Sequence, residues 1–224
     1  MKIGVDGVLI GCWTKIDGSK SILDVGCGCG LIAFILAQRC NMAEIIGIDI
    51  DKDSIEEAND NLKSFPWSER VSFQHGDFPL DLDKGYFSNL DLIVSNPPYF
   101  DSGVKETVTS RERARHQGRL SPTSLLKSSV SLLSSNGSVA MIVPSEISLS
   151  LEEEAKRLGF SLMRKCLVRG NKDASYKRTL LQWQLQKGER CASGIEIEYL
   201  TLEISRGTPS EEYRNLCKDF YLKF

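Results

Sequence analysis

Residues Ser21 to Gly30 read "SILDVGCGCG", and the run "LIAFILAQRC" follows directly from Leu31 to Cys40. The opening residues, "SILDVG", form a short, mostly apolar run suited to a strand inside a sheet. The glycines that follow punctuate it as a turn, and the next run suits a helix packed on that sheet. Gly26, Gly28 and Gly30 let the backbone turn tightly and approach a ligand, because a residue without Cβ adopts positive φ at little cost. Strand, glycine turn and helix in immediate succession form the first unit of an α/β layer fold.

The same alternation continues down the chain. "EIIGIDI" (44–50) is a strand, and "DKDSIEEANDNLKSF" (51–65) is an amphipathic helix with acids in its first turn, where the helix dipole favours them. "VSFQHGD" (71–77) and "LDLIVS" (90–95) are further strands. "SPTSLLKSSVSLLSS" (121–135) is a helix with Ser121 as cap and Pro122 at its first position, closed by "NG". "SVAMIVP" (138–144), "FSLMRKCLVR" (160–169) and "TLLQWQLQK" (179–187) complete seven strands, with a helix at 150–159. Only eight residues, Gly170 to Lys177, separate the last two. That is too short for a parallel crossover, so an antiparallel hairpin is expected at one sheet edge. The tail from 189 adds a strand-like run, "GIEIEYLTLEI" (194–204), and a helix, "SEEYRNLCKDFYL" (210–222). One domain is expected over 1–224, with a lead-in at 1–19, a core at 20–187 and an extension at 189–224.

Composition limits the function classes. The chain has 224 residues, 41% hydrophobic and 26% charged, with a formal net charge of −2. No apolar run reaches the ~18–20 residues of a membrane span, and the N-terminus lacks a signal-peptide pattern. An intracellular, cytoplasmic location is expected. The seven cysteines are scattered, with no CxxC spacing for zinc and no secreted disulfide framework. Reduced thiols and no metal are expected. The net charge argues against a polybasic coat, but two runs are locally basic. Arg111, Arg113, Arg115 and Arg119 crowd one, and Arg164, Lys165, Arg169, Lys172, Lys177 and Arg178 the other.

The glycine turn points to a nucleotide-like ligand. Asp49 follows Gly30 by nineteen residues, at the end of the second strand, where a carboxylate can accept both hydroxyls of a ribose. Gly28, Gly30 and Ala33 also satisfy G-x-G-x-x-[G/A], so a nicotinamide dehydrogenase stays open on this motif alone. Asp24 weighs against it. An acid just before the glycines repels a pyrophosphate and welcomes a cationic amino-acid ligand. At the third strand's end, Asp77 can accept from an adenine amino group and Phe78 can cover its ring. Three acids at three consecutive strand ends suit S-adenosylmethionine, which carries an ammonium, a sulfonium, a ribose and an adenine. The plain alternative is that each acid only caps the element that follows it.

"SNPPYF" (95–100) ends the fourth strand. Two prolines stiffen it and remove donors, leaving Asn96 as acceptor beside the ring of Tyr99. A flat, amino-bearing group fits such a strand end. The Asn96 side-chain oxygen and the Pro97 carbonyl can accept its two N–H bonds, aiming the nitrogen lone pair at a methyl, while Tyr99 stacks on its face. No strong base is needed, because the methylated nitrogen is acidic once cationic. A structural turn is the alternative. The segment Lys105 to Arg119 shows no periodicity and lies where loops of open α/β sheets carry function.

"DVGCGCG", "GIDID", "GDF" and "NPPYF", in that order, resemble the class I S-adenosylmethionine-dependent amino-methyltransferases over roughly residues 20–187. The resemblance implies a Rossmann-like α/β fold with helices on both faces. Its sheet has seven strands in the order 3-2-1-4-5-7-6, with strand 7 antiparallel. Substrates in that class include adenine in DNA or RNA, guanine N2 in ribosomal RNA, and glutamine in release factors. "VDGVLIGCW" (5–13), "RARHQGRLS" (113–121) and "EEYRNLCKDFYLK" (211–223) narrow it. They resemble the bacterial valine-tRNA (adenine-37-N6)-methyltransferase family. That implies methyl transfer to adenine N6 in a tRNA anticodon loop. A protein-glutamine N5-methyltransferase and a ribosomal-RNA guanine-N2 methyltransferase are the alternatives within the class, and a cofactor-binding module without catalysis is the alternative outside it. The resemblance places Asp6 and Gly7 near the methionine end of the cofactor, a plain turn before a helix being the other reading. It places Asp24, Gly26, Gly28, Gly30, Asp49, Asp77 and Phe78 on the cofactor. Asn96, Pro97 and Tyr99 fall at the reacting amine, and Pro98, Phe100, Arg111, Arg113, Arg115, His116 and Arg119 on the RNA. For His116 a local carbonyl is the competing partner. Family members usually carry some tens of residues before the point where this chain begins, which implies a shortened chain or a late start. A monomer is expected, with residues 105–119 mobile until RNA binds. His75 and the three tryptophans are read as packing residues.

Overall fold

The computed structural model describes residues 4–80, 87–98, 120–186 and 194–221. Val5–Trp13 forms α1, where the sequence was read only as a lead-in. It is apolar almost all round, and its buried residues run from Gly7 to Trp13. Gly7 and Gly11, one turn apart, let α1 close against α2 (Leu31–Arg39). A Cβ on Gly11 would lie 3.0 Å from Ile35, and one on Gly7 3.2 Å from Leu31.

The strands β1 (Ser21–Val25), β2 (Glu44–Asp49), β3 (Val71–His75) and β4 (Leu90–Ser95) pair in parallel. α3 (Lys52–Leu62) joins β2 to β3. α4 (Pro122–Leu132) opens on a reciprocal capping box between Ser121 and Ser124 with Pro122 at its first position. It ends earlier than its sequence suggests, because β5 already begins at Leu133 and runs to Pro144. Gly137 is therefore a strand residue and not a helix stop. A side chain there would meet the Leu90 carbonyl at 2.6 Å, so glycine allows β5 to approach β4 closely.

α5 (Ser148–Arg157) leads to β6 (Phe160–Asn171) and β7 (Arg178–Leu185), which form the expected antiparallel hairpin. The tail forms β8 (Glu196–Ser205), the two-residue β9 (Thr208–Pro209) and α6 (Glu211–Cys217). The sheet order is β3-β2-β1-β4-β5-β7-β6-β8-β9, the predicted seven with two further strands at one edge. Helices bury both faces. α1, α2, α3 and α6 cover one core, and α4 and α5 the other. Among the described residues no helix is long and apolar enough to cross a membrane.

Half of the second basic run, Arg164, Lys165 and Arg178, is neutralised by this packing, while Arg169, Lys172 and Lys177 have no carboxylate partner among the pairs seen in the described residues. Arg164 stacks on Trp13 at 4.6 Å and pairs with Glu198 at 2.8 Å. Lys165 pairs with Glu152 at 2.6 Å, and Arg178 with Asp6 at 2.8 Å. Trp13 and Trp183 are core residues, and Trp67 sits edge-on to Phe65. His75, exposed, lies 3.0 Å from the Ile50 carbonyl, a structural partner.

Candidate active site

The glycine turn is tied to β2 before it reaches any ligand. The N–H groups of Gly26 and Cys27 both donate to the Ile48 carbonyl, at 2.8 and 3.1 Å. Gly26, Gly28 and Gly30 have φ of 71°, 54° and 86°, the left-handed region that favours glycine. Asp49 at the end of β2 holds the turn from the other side. Its Oδ2 accepts from the Gly28 N–H at 2.8 Å and its Oδ1 from the Asp51 N–H at 2.9 Å. Burial raises the Asp49 pKa, and those two N–H groups oppose the shift.

A cleft of about 310 Å³ opens over this turn at the carboxyl ends of the parallel strands. Asp49, Asp77 and Phe78 line it from β2 and β3, and Asn96 and Pro98 from the end of β4. Gly26 and Gly28 form its floor. Gly7 contributes from α1. The strand end that carries Asn96 is fastened to β1 by the buried Ser95, whose Oγ donates to the Val25 carbonyl at 2.7 Å.

Four predicted residues sit differently. Gly30 shapes the turn but does not line the cleft, and a Cβ on it would meet the Phe73 and Phe34 rings. Asp24 does not line the cleft. It is fully buried behind the turn, and its Oδ2 accepts from the Ala33 N–H at 3.1 Å, in the first turn of α2. Its Oδ1 is buried with no hydrogen-bond partner among the described residues. Desolvation pushes its pKa up to about 8. Asp6 points to Arg178 on β7 and leaves the cleft to Gly7. Pro97 is buried and is not among the lining residues. Tyr99, Phe100, Arg111, Arg113, Arg115, His116 and Arg119 lie outside the described residues, as does the segment 105–119 whose mobility was expected.

The comparisons with known proteins bear on this cleft. The "Methyltransferase domain" family model matches residues 16–187. A Bacteroides fragilis protein, tRNA1(Val) (adenine(37)-N6)-methyltransferase, is 40% identical over 223 residues, covering all of this chain and 92% of its own. The chain belongs to this methyltransferase family. A protein of the same name from Trichodesmium erythraeum is 37% identical over 229 residues, covering all of this chain and 92% of its own. Among solved structures, a predicted O-methyltransferase from Agrobacterium tumefaciens aligns with a TM-score of 0.73 over 96% of both chains, at 16% identity. That likeness shows the fold.

S-adenosylmethionine is the cofactor of this family, and the cleft's lining fits it. A carboxylate at the end of β2 suits a ribose, a carboxylate and a buried aromatic ring after β3 suit an adenine, and the glycine floor admits close approach. The pattern of residues in sequence missed Leu120, which lines the cleft and lies 3.3 Å from where a Gly26 Cβ would stand. It missed Ser95 as well. Neither carries a motif, and each is found only through its contacts.

Asp24 yields a prediction for stability. A carboxyl with a folded pKa near 8 and an unfolded one of 3.8 keeps a proton in the native state that the unfolded chain has lost. Between these values the native state binds more protons, so its contribution to stability falls as pH rises and levels off above pH 8. The slope from this group is at most about 1.4 kcal/mol per pH unit. Thermal melts of the cofactor-free protein from pH 5 to 9 are expected to show this decline. Asp24→Asn should flatten it; superimposable pH profiles for the two proteins would refute the assignment.

Proposed function

We propose that the protein methylates N6 of an adenine in tRNA, adenine 37 of valine tRNA, acting as a single-domain monomer in the cytoplasm. The observation that carries this reading is Asn96 on the same cleft as the Gly26–Gly30 turn. A carboxamide on a proline-stiffened strand end thereby faces the floor suited to the methyl donor. The full-length likeness to enzymes of that name supports the substrate.

S-adenosylmethionine supplies an electrophilic methyl on a sulfonium that departs as a neutral thioether. The protein's part is orientation and charge stabilisation. The Asn96 oxygen accepts an N–H bond of the adenine amine, which turns its lone pair toward the methyl and favours the cationic nitrogen that forms. The Pro97 carbonyl, expected as the second acceptor, belongs to a residue that the cleft lining leaves out. The amine then loses a proton to water, so no strong base is required. Tyr99 stacks on the base, and Pro98 and Phe100 border it. Asp49 holds the ribose, and Asp77 and Phe78 the adenine of the cofactor. Asp24 acts through the N-terminus of α2. An anticodon-loop base is already outside a regular duplex, so presenting it costs less than flipping one from a helix. Arg111, Arg113, Arg115, His116 and Arg119 hold nearby phosphates.

Nucleoside mass spectrometry of valine tRNA from cells with and without the gene is the direct test, with N6-methyladenosine expected only when the gene is present. Incubation with labelled cofactor and either total tRNA or a release factor separates the nearest alternative. Label confined to the protein fraction would end the tRNA reading.

A further inference from the structure

We propose that the β6–β8 edge of the sheet is a second RNA contact, a stacking platform for unpaired anticodon-loop nucleotides outside the target base. The proposal rests on RNA being the substrate. Strand register places this edge relative to the cleft. Ser95 pairs with Met141, and the row continues through Leu181 and Lys165 to Ile197. The row two residues higher runs from Val143 through Thr179 and Leu167 to Tyr199. Tyr199 thus stands level with the residues just beyond Ser95, at the end of the sheet where Asn96 opens the cleft. Four strand steps separate β4 from β8, which is about 19 Å at the usual interstrand spacing.

At that edge no helix among the described residues covers the sheet face of Ile197 and Tyr199. α5 packs on β6 and β7, while Ile197 and Tyr199 on β8 are 55% and 64% exposed. Tyr176 in the hairpin turn lies beside Tyr199, ring centroids 5.7 Å apart. Arg169 stacks on Tyr176 at 5.3 Å. The same guanidinium donates to the Thr201 hydroxyl at 2.9 Å and to the Lys172 carbonyl at 2.8 Å, so the turn and the strand are held together. Two neighbouring phenol rings with a guanidinium over one of them suit bases, which offer flat π faces. Lys172 and Lys177 are exposed in the same hairpin turn as Tyr176, and Arg206 in the β8–β9 turn, against Asp173 and the half-buried Glu203. The balance of these strands and turns is cationic, unlike the chain as a whole, and complements phosphate.

The test compares the wild type with Tyr176→Ala/Tyr199→Ala and with Lys172→Ala/Lys177→Ala. Measurements are tRNA Kd against salt by fluorescence anisotropy, S-adenosylmethionine Kd by calorimetry, and kcat at saturating tRNA. The tyrosine pair should weaken tRNA binding about tenfold or more. The lysine pair should lower the slope of log Kd against log salt by roughly one to two. Cofactor affinity and kcat should stay at wild-type values, and Tyr199→Phe should bind tRNA as the wild type does. If the tyrosine variant fails to fold, the exposed lysine pair carries the test. Wild-type tRNA affinity and salt slope in the variants would overturn the platform. So would light scattering that shows a wild-type dimer dissolved by the tyrosine substitutions, since a second copy would then occupy the face. A wild type that binds tRNA through this edge but never methylates it would overturn the proposed function and leave the platform standing.

Discussion

Replacing Asn96 with alanine is expected to lower kcat for tRNA methylation about 10²–10³-fold while leaving the Kd for S-adenosylmethionine unchanged. The effect follows from where the carboxamide sits. Asn96 lines the cleft at the end of β4, on a backbone stiffened by Pro97 and Pro98 and tied to β1 through Ser95. A polar group held this way is oriented before the reaction, so it stabilises charge developing on the amine without reorganising. Its loss falls on the step where that charge appears, hence on kcat. Glycines and Asp49 line the cofactor side of the cleft, so binding of the donor should be spared. Asn96→Asp retains an acceptor and should lose less than alanine. Single-turnover kinetics at saturating cofactor and tRNA check both variants. An alanine variant within about threefold of wild type would remove Asn96 from the mechanism.

Gly30→Ala is expected to destabilise the fold by about 2–5 kcal/mol, through two costs of separate origin. The residue has φ of 86°, where an L side chain strains the backbone. The added Cβ would stand 2.5 Å from the Phe73 ring and 2.9 Å from Phe34. These two rings already pack edge to face at 5.4 Å between α2 and β3, which leaves little room to yield. Denaturant melts with unchanged m-value would measure the loss, and a shift below about 1 kcal/mol would show that the turn relaxes. Gly18→Ala is the matching control. Its φ is 75°, but a Cβ there meets nothing within 4 Å. It should show the backbone cost alone.

Much of the cleft is legible in short stretches. Glycine alternation after an apolar strand predicts the turn. The eight residues between the last two predicted strands, six between β6 and β7 as folded, permit only a hairpin. Asp49, Asp77, Phe78 and Asn96 follow strands whose ends any α/β fold brings to one side, and all four line the cleft. What stayed hidden depends on partners far away in sequence. The resemblance places Asp6 near the cofactor, and nothing near it in the chain reveals Arg178, 172 residues on. The run from Arg164 to Arg178 looks like one continuous basic face until Glu152, Glu196 and Glu198 are brought against Arg164 and Lys165, which leaves the cations of the hairpin turn. Asp24 resembles a ligand group by position, yet its carboxylate turns inward to an α2 N–H.

The chain's own pattern determined most of the strands and helices, though not α1 or the start of β5. It also determined where the backbone must bend and which strand ends meet at the cleft, because periodicity, glycine and proline act within a few residues. Tertiary structure alone decided which acids face the cleft and which are consumed by arginines or buried amides. A carboxylate's solvation and partners are set by segments that only the sheet register brings together.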